Sequence, residues 1–145
     1  MMPEPRRILL VEDNPAHAKL LTYQLDRADC RVDITWLKDG EAALEYLHDR
    51  EHRPDQPLPD LILLDLKLPK VDGLDVLDQL KHDEQLRKIP VIILTTSSRE
   101  QDVERAYARC VNAYLVKPMD YQCLHEMVRS TIEFWCGWNQ APRAD

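Results

Sequence analysis

The alternation of strand and helix patterns along this chain predicts a doubly wound α/β domain on a parallel five-stranded sheet. Strand-like and helix-like periodicities follow one another five times. Three of the strand segments, Ile8-Leu9-Leu10-Val11, Leu61-Ile62-Leu63-Leu64 and Ile89 to Leu94, are apolar throughout, as strands covered on both faces are. Two of these run straight into carboxylates, Glu12-Asp13 and Asp65. Taking a carboxylate out of water is costly, so strands that end this way point to a shared acidic pocket.

Each element has its own signal. Arg7 to Glu12 reads as the first strand. Asn14-Pro15 supplies an N-cap residue and a first-turn proline for a helix over Ala16 to Ala28, whose Leu20, Leu21, Leu25 and Ala28 share a face. Arg31 to Leu37 alternates Val32, Ile34 and Trp36, the period of a strand. Asp39-Gly40 opens a second helix carrying Ala43, Leu44 and Leu47. Arg50 to Pro59 is a polar loop with Pro54, Pro57 and Pro59, and it leads into the strand ending at Asp65. Lys67 to Gly73 is a turn by its proline, Asp and Gly. Leu74 to Lys81 is helical, Ile89 to Leu94 is the fourth strand, closed by Thr95, and Val103, Ala106, Tyr107 and Cys110 mark a helix at i, i+3, i+4 and i+7. Ala113 to Val116 is a short fifth strand, followed by Lys117-Pro118. A last helix runs from Tyr121 to Trp135, and the chain is expected to fray beyond Gly137.

Length and composition narrow the function. The chain has 145 residues, 44% of them hydrophobic and 31% charged, which suits one globular domain with a real core. Residues 1–6 read as an N-terminal tail, 7–135 as the folded domain and 136–145 as a C-terminal tail. The net charge of -7 lacks the basic footprint of a nucleic-acid binder. No apolar run approaches a membrane span, and Met1 to Arg7 carries no apolar stretch for a signal peptide, so a cytoplasmic protein is expected. Cys30, Cys110, Cys123 and Cys136 form no C-x-x-C pair and read as reduced thiols. His48 and His52 have a helical metal spacing but lie in a charged stretch before Arg53-Pro54, where solvent exposure is the expectation. Lys70 and Arg99 read as surface charges.

In an open parallel sheet, ligands bind beyond the carboxyl ends of the strands, where the winding reverses. In the flavodoxin-like (βα)5 three-layer sandwich, with strand order 2-1-3-4-5, that crevice lies between the first and third strands. Those strands end here in Glu12-Asp13 and Asp65. The fourth ends on Thr95-Thr96 and the fifth on Lys117. Three carboxylates held together repel, and a hard cation such as Mg²⁺ relieves the repulsion while bridging to phosphate. A carboxylate nucleophile, a metal, an ammonium and a hydroxyl are the parts phosphoryl transfer needs. The only glycines are Gly40, Gly73 and Gly137, none in a nucleotide-binding loop, so a phosphorylated protein is a more natural donor than ATP bound here.

These residues carry a resemblance. Glu12-Asp13, the segment Leu64-Asp65-Leu66-Lys67-Leu68-Pro69-Lys70-Val71-Asp72-Gly73, Leu94-Thr95-Thr96, Tyr114 and Lys117-Pro118 are, in this order and spacing, similar to the receiver domain of two-component response regulators, over about residues 6 to 135. The resemblance implies that Asp65 accepts a phosphoryl group from a kinase histidine. It implies that Glu12, Asp13, Asp65 and the backbone carbonyl of Lys67 hold Mg²⁺. Thr95 matches the hydroxyl that turns toward the phosphoryl oxygens, Lys117 the lysine that pairs with them, and Tyr114 the aromatic that rotates with the threonine. A receiver is a signalling switch that acts on its own phosphorylation rather than an enzyme with a separate substrate. Lys67 and Thr96 match positions that tune the lifetime of the acyl phosphate, and Thr96, larger than the alanine or glycine often found there, implies slow self-hydrolysis.

The expected partners are a sensor histidine kinase or a histidine phosphotransfer protein, and a downstream protein target. The chain ends about ten residues after its last helix, so a single-domain regulator is expected. The proline-bearing loop Arg50 to Pro59, the segment Leu61-Ile62-Leu63-Leu64-Asp65-Leu66 and the ending Ile132-Glu133-Phe134-Trp135 resemble regulators that partner bacterial phytochrome kinases, where a C-terminal aromatic segment helps form a homodimer. For Phe134-Trp135, capping the core and forming a dimer remain open as equal readings. A phosphate-independent binding module of the same fold is the alternative, and its mark would be loss of an acid, Thr95 or Lys117. A haloacid-dehalogenase-type phosphatase would need an aspartate at position 67, which is lysine.

Overall fold

In the computed structural model, which describes residues 5–28 and 30–142, the strands are β1 (Arg6–Val11), β2 (Val32–Leu37), β3 (Leu61–Leu64), β4 (Val91–Thr95) and β5 (Ala113–Val116). The helices are α1 (Pro15–Asp26), α2 (Gly40–Glu51), α3 (Gly73–His82), α4 (Glu100–Ala108) and α5 (Tyr121–Ile132). All strand pairs are parallel and the order is β2-β1-β3-β4-β5, the order expected of the crevice-forming sandwich. Residues 1–4 of the expected N-terminal tail and 143–145 of the expected C-terminal tail lie outside the described residues.

The period-2 alternation of the strands divides the core into two halves. Leu9, Val11, Ile62, Leu64, Val91 and Ile93 face α2, α3 and α4, where they meet Ala43, Leu47, Val76, Leu77, Leu80 and Ala106. Ile8, Leu10, Leu61, Leu63, Ile92 and Leu94 face α1 and α5, against Ala18, Leu21, Leu25, Leu124, Val128 and Ile132. Because β1, β3 and β4 are covered on both faces, every one of their residues from Ile8 to Val11, Leu61 to Leu64 and Val91 to Thr95 is buried, and their sequences are accordingly unbroken apolar runs. β2 lies at the sheet edge, and only Val32, Ile34 and Trp36, one face of it, pack into the α1/α5 half.

The helix starts follow the capping signals. Asn14 accepts from the amides of Ala16 and His17, Asp39 from Ala42, and Asp120 from Gln122. Most boundaries shift by a residue or two from the sequence expectation, and three of the differences stand out. α2 runs two residues into the proline-bearing loop, ending at Glu51. The fourth strand begins at Val91 rather than Ile89, because residues Leu86–Lys88 form a 3-10 turn and Pro90 cannot donate to the sheet. At the far end, α5 continues without a break into a π-helical turn over Glu133–Trp138, which buries Cys136 against the α1/α5 half. The described cysteines are all free thiols. Among the described residues no helix is long and apolar enough to cross a membrane.

Candidate functional site

Register places the acids. Val11 pairs with Leu64 across β1 and β3, so Glu12 and Asp65 are the next residues on adjacent strands, and the Asp65 amide still donates to the Val11 carbonyl at 3.1 Å. Strands lie about 4.8 Å apart, so two carboxylates at matched strand ends must meet. One carboxylate oxygen from each of Glu12, Asp13 and Asp65 lies within 4.8 Å of the other two. Strand parity also assigns the sides. Glu12 follows Ile8 and Leu10, Asp65 follows Leu61 and Leu63, and Lys117 follows Ala113 and Leu115; all of these precursors face α1 and α5. Lys117 reaches back from β5, ion-pairs with Glu12 and brings Nζ to 3.5 Å from Asp65 Oδ2.

The electrostatics of the cluster centre on Glu12. Its side chain is 1% exposed, and burial, reinforced by the nearby Asp65 charge, pushes its carboxyl up to about 7 against the opposing pull of Lys117. Oε2 accepts from the Asn14 amide at 3.2 Å, and the Trp36 indole donates to the Glu12 carbonyl at 2.8 Å, so both ends of the residue are held. Asp65 Oδ1 accepts from the Leu66 amide at 2.8 Å, which leaves Oδ2 turned toward Lys117. Asp13 is exposed at the mouth. The donor set is all oxygen, with one deeply buried carboxylate that is costly to ionise alone, and this is the chemistry a hard divalent cation such as Mg²⁺ fits.

The remaining expected residues lie around this centre. Thr95 is 1% exposed at the end of β4, its hydroxyl accepts from the Ser97 amide at 3.4 Å, and its carbonyl accepts from the Lys117 amide at 2.6 Å. Tyr114, half-buried on the α4 side, donates from its hydroxyl to the Ser97 carbonyl at 2.9 Å. The same loop is tied once more by the Ser97 hydroxyl, 2.6 Å from Asp102. Lys67 has an exposed side chain in the β3–α3 loop, two residues past Asp65. Glu12, Asp13, Asp65 and Lys117 therefore come together directly, whereas Thr95 and Tyr114 sit on the opposite face of the sheet, around Ser97.

Some residues that shape the site went unrecognised in the sequence. A Cβ on Gly73 would fall 2.2 Å from the Asp65 carbonyl oxygen and 2.7 Å from Leu66 Cα, so only glycine lets α3 start against the backbone of Asp65. The Gly73 amide then donates to Leu66 at 2.8 Å and fixes the loop. Gly40 plays the same part for α2, with a Cβ position 2.0 Å from the Val71 carbonyl. Lys70 is exposed, as expected of a surface charge, yet it takes a left-handed φ of 68° and sits 3.8 Å from Asp39. His17 was unmarked; on α1 its Nδ1 lies 3.3 Å from Lys117 Nζ. A histidine one turn after an acidic strand end was the available signal.

A (βα)5 sheet that gathers carboxylates and a lysine at its carboxyl edge, over a loop that only glycine can close, defines a receiver-type signalling domain, conventionally a switch rather than a classical enzyme. The chain belongs to the response regulator receiver domain family, whose model matches residues 8–129. It is 49% identical over 139 residues to the probable methanogenesis regulatory protein FilR2 of Methanothrix harundinacea, covering 96% of this chain and 89% of that protein. To the response regulator Rcp1 of Synechocystis it is 41% identical over 131 residues, covering 90% and 89%. Among solved structures, the phosphorylated cyanobacterial phytochrome response regulator RcpA superposes with a TM-score of 0.89 at 37% identity, covering 96% of this chain and 99% of that one. The Mn²⁺-bound form of Rcp1 gives 0.87 at 40% identity, covering 95% and 99%.

Proposed function

We infer that this chain is a response regulator in which Asp65 accepts a phosphoryl group from a phosphohistidine and the phosphorylated state alters a protein-binding surface. The observation that carries the reading is the meeting of Glu12, Asp13 and Asp65 within 4.8 Å beside the Lys117 ammonium. An Asp65 carboxylate oxygen attacks phosphorus in line as the donor's N–P bond breaks, and the donor imidazole leaves with the electron pair of that bond. Mg²⁺, when bound by Glu12, Asp13, Asp65 and the Lys67 carbonyl, supplies the positive charge that neutralises the phosphoryl oxygens. Lys117, paired with Glu12 and 3.5 Å from Asp65 Oδ2, is in reach of a phosphoryl oxygen on Asp65. Thr95 supplies a hydroxyl at the end of the neighbouring strand, and Tyr114 holds the loop that follows it.

The phosphodonor is a sensor histidine kinase or a histidine phosphotransfer protein acting in the cytoplasm. A cavity of about 330 Å³ beside Lys117, lined by His17, Leu20, Pro118, Met119, Tyr121 and Leu124 among others, gives a donor helix an apolar seat next to Asp65. Met119 and Tyr121 are exposed there. The likeness to the phytochrome response regulator RcpA supports a kinase of the phytochrome type. Trp135 packs on the core, while Phe134 and Trp138 are 50% and 77% exposed, which supports an aromatic surface for a homodimer.

Incubation with acetyl phosphate and Mg²⁺ tests the reading, with Asp65→Asn as control. Wild type should gain one acid-labile phosphate per chain and the variant none. Equal labelling of the two, or no labelling of wild type, would reject Asp65 as the acceptor.

A further inference from the structure

At the opposite end of the sheet from Asp65, the last turn of α2 meets the end of α3. His48 and Glu51 sit three residues apart on α2, with Nδ1 and Oε1 3.5 Å apart. Asp83, the C-cap residue of α3, brings its carboxylate to the same point, and one ligand atom from each of the three lies within 4.8 Å of the others. The sequence offered His48 and His52 as a metal spacing, but the fold pairs His48 with acids from two helices instead.

The Glu51 side chain is only 10% exposed. Among the described residues, the His48 ring is the one hydrogen-bond donor or cation near its carboxylate, and its other neighbour is the Asp83 carboxylate. Three basic residues of these segments have partners of their own. Arg53 pairs with Asp49 at 3.2 Å, Arg109 lies 4.0 Å from Asp78, and Lys81 donates to the carbonyls of Arg87 and Ile89 and to Asn112. Asp83 cannot swing away, because its Oδ1 accepts the amides of Gln85 at 2.9 Å and Leu86 at 3.0 Å. Contact with Asp83, with burial adding, pushes the Glu51 carboxyl above its ordinary value. The largely buried Glu51 carboxylate thus faces a second carboxylate with only the half-exposed His48 ring beside it.

We propose that His48, Glu51 and Asp83 form a binding site for a divalent cation of the zinc class, separate from the acidic cluster at Asp65. One imidazole nitrogen with two carboxylate oxygens suits zinc, whereas Mg²⁺ prefers oxygen alone. Tetrahedral ligands at Zn²⁺ bond lengths of about 2.0–2.1 Å stand roughly 3.3–3.4 Å apart, close to the 3.5 Å between His48 and Glu51. His48 is 46% exposed, so the fourth position opens to water. The bound ion ties the end of α2 to the end of α3 and braces the loop that leads into β3. None of this depends on phosphoryl transfer at Asp65.

Calorimetric titration of the metal-stripped full chain with Zn²⁺ tests the site. Asp13→Asn, Cys110→Ser and Cys123→Ser in the background silence the acidic cluster and the exposed thiols. This background should bind one Zn²⁺, in the presence of excess Mg²⁺, and His48→Gln and Asp83→Asn should each weaken it on the order of tenfold or more. His48→Gln changes a half-exposed helical side chain and keeps the fold, so its result stands even if Asp83→Asn loosens the α3 cap. The proposal is overturned if the background binds no Zn²⁺, or if His48→Gln binds it as tightly as the background.

Discussion

Replacing Glu12 by Gln isolates the cost of keeping a carboxylate buried in the metal-free site. Glu12 is 1% exposed and its carboxyl is pushed from 4.5 to about 7, chiefly by burial. A raised pKa means that the folded state holds the proton more tightly than the unfolded chain. Stability from this group is therefore full below about pH 4.5 and is lost as pH rises through about 7. One pKa unit corresponds to about 1.4 kcal/mol, so the full loss is roughly 3 kcal/mol. Glutamine has nearly the same shape and no such titration, so the difference between the two proteins removes the other carboxylates from the comparison.

Urea melts of wild type and Glu12→Gln, in chelator and at several pH values from 4.5 to 8, provide the measurement. The variant should gain on wild type by about 3 kcal/mol across that range, equivalent to roughly 6–12 °C in Tm for a domain of this size. Excess Mg²⁺ should shrink the gain, because a cation compensates the ionised Glu12 and binds the folded state alone. A stability difference that stays flat with pH would refute the claim that Glu12 is held out of water at a cost. A gain that Mg²⁺ leaves untouched would refute its place in the metal site.

Two further outcomes follow from the site geometry. Gly73→Ala forces a Cβ to within 2.2 Å of the Asp65 carbonyl, so the β3–α3 loop must shift; the variant should lose on the order of 3 kcal/mol in urea melts, and its phosphorylation by acetyl phosphate should slow because Asp65 moves with its backbone. Thr96 is exposed and lines the same cavity as Lys117; on the proposal that its bulk shields an acyl phosphate on Asp65, Thr96→Ala should speed loss of that phosphate a few-fold, about 1 kcal/mol of barrier, and an unchanged phosphate-release time course would remove the shielding argument.

The parts of the site that could be read from the chain are those set by local pattern. Unbroken apolar runs mark β1, β3 and β4 because both faces of these strands are covered, and a carboxylate at the end of such a run is conspicuous whatever surrounds it. Contacts between distant segments leave no local trace. Gly40 looks like an ordinary helix start until Val71, thirty-one residues on, is seen to leave no room for a side chain. Glu51 and Asp83 look like two more surface acids until α2 and α3 close on them. The π-helical turn after Ile132 was hidden for a related reason: Gly137 reads as a helix stop, yet burial of Cys136 carries the helix past it.

Strand parity adds a constraint that the list of site residues lacks. Glu12, Asp65 and Lys117 gather on the α1/α5 side of the sheet, while Tyr114 and the Ser97 loop lie on the α4 side. A phosphoryl group on Asp65 would thus arrive on one face, and the loop held by Tyr114 belongs to the other. The two faces join at the carboxyl ends of β4 and β5, where the Lys117 amide donates to the Thr95 carbonyl and the Thr95 hydroxyl accepts from Ser97. A pull on Lys117 from a phosphoryl oxygen would act on β5 at that bond, and a Thr95 hydroxyl that turned to donate to a phosphoryl oxygen would swing away from the Ser97 amide from which it now accepts. Release of Ser97 frees the loop whose carbonyl Tyr114 holds. We propose that the buried Thr95, rather than any exposed residue, links charge at Asp65 to the α4 surface.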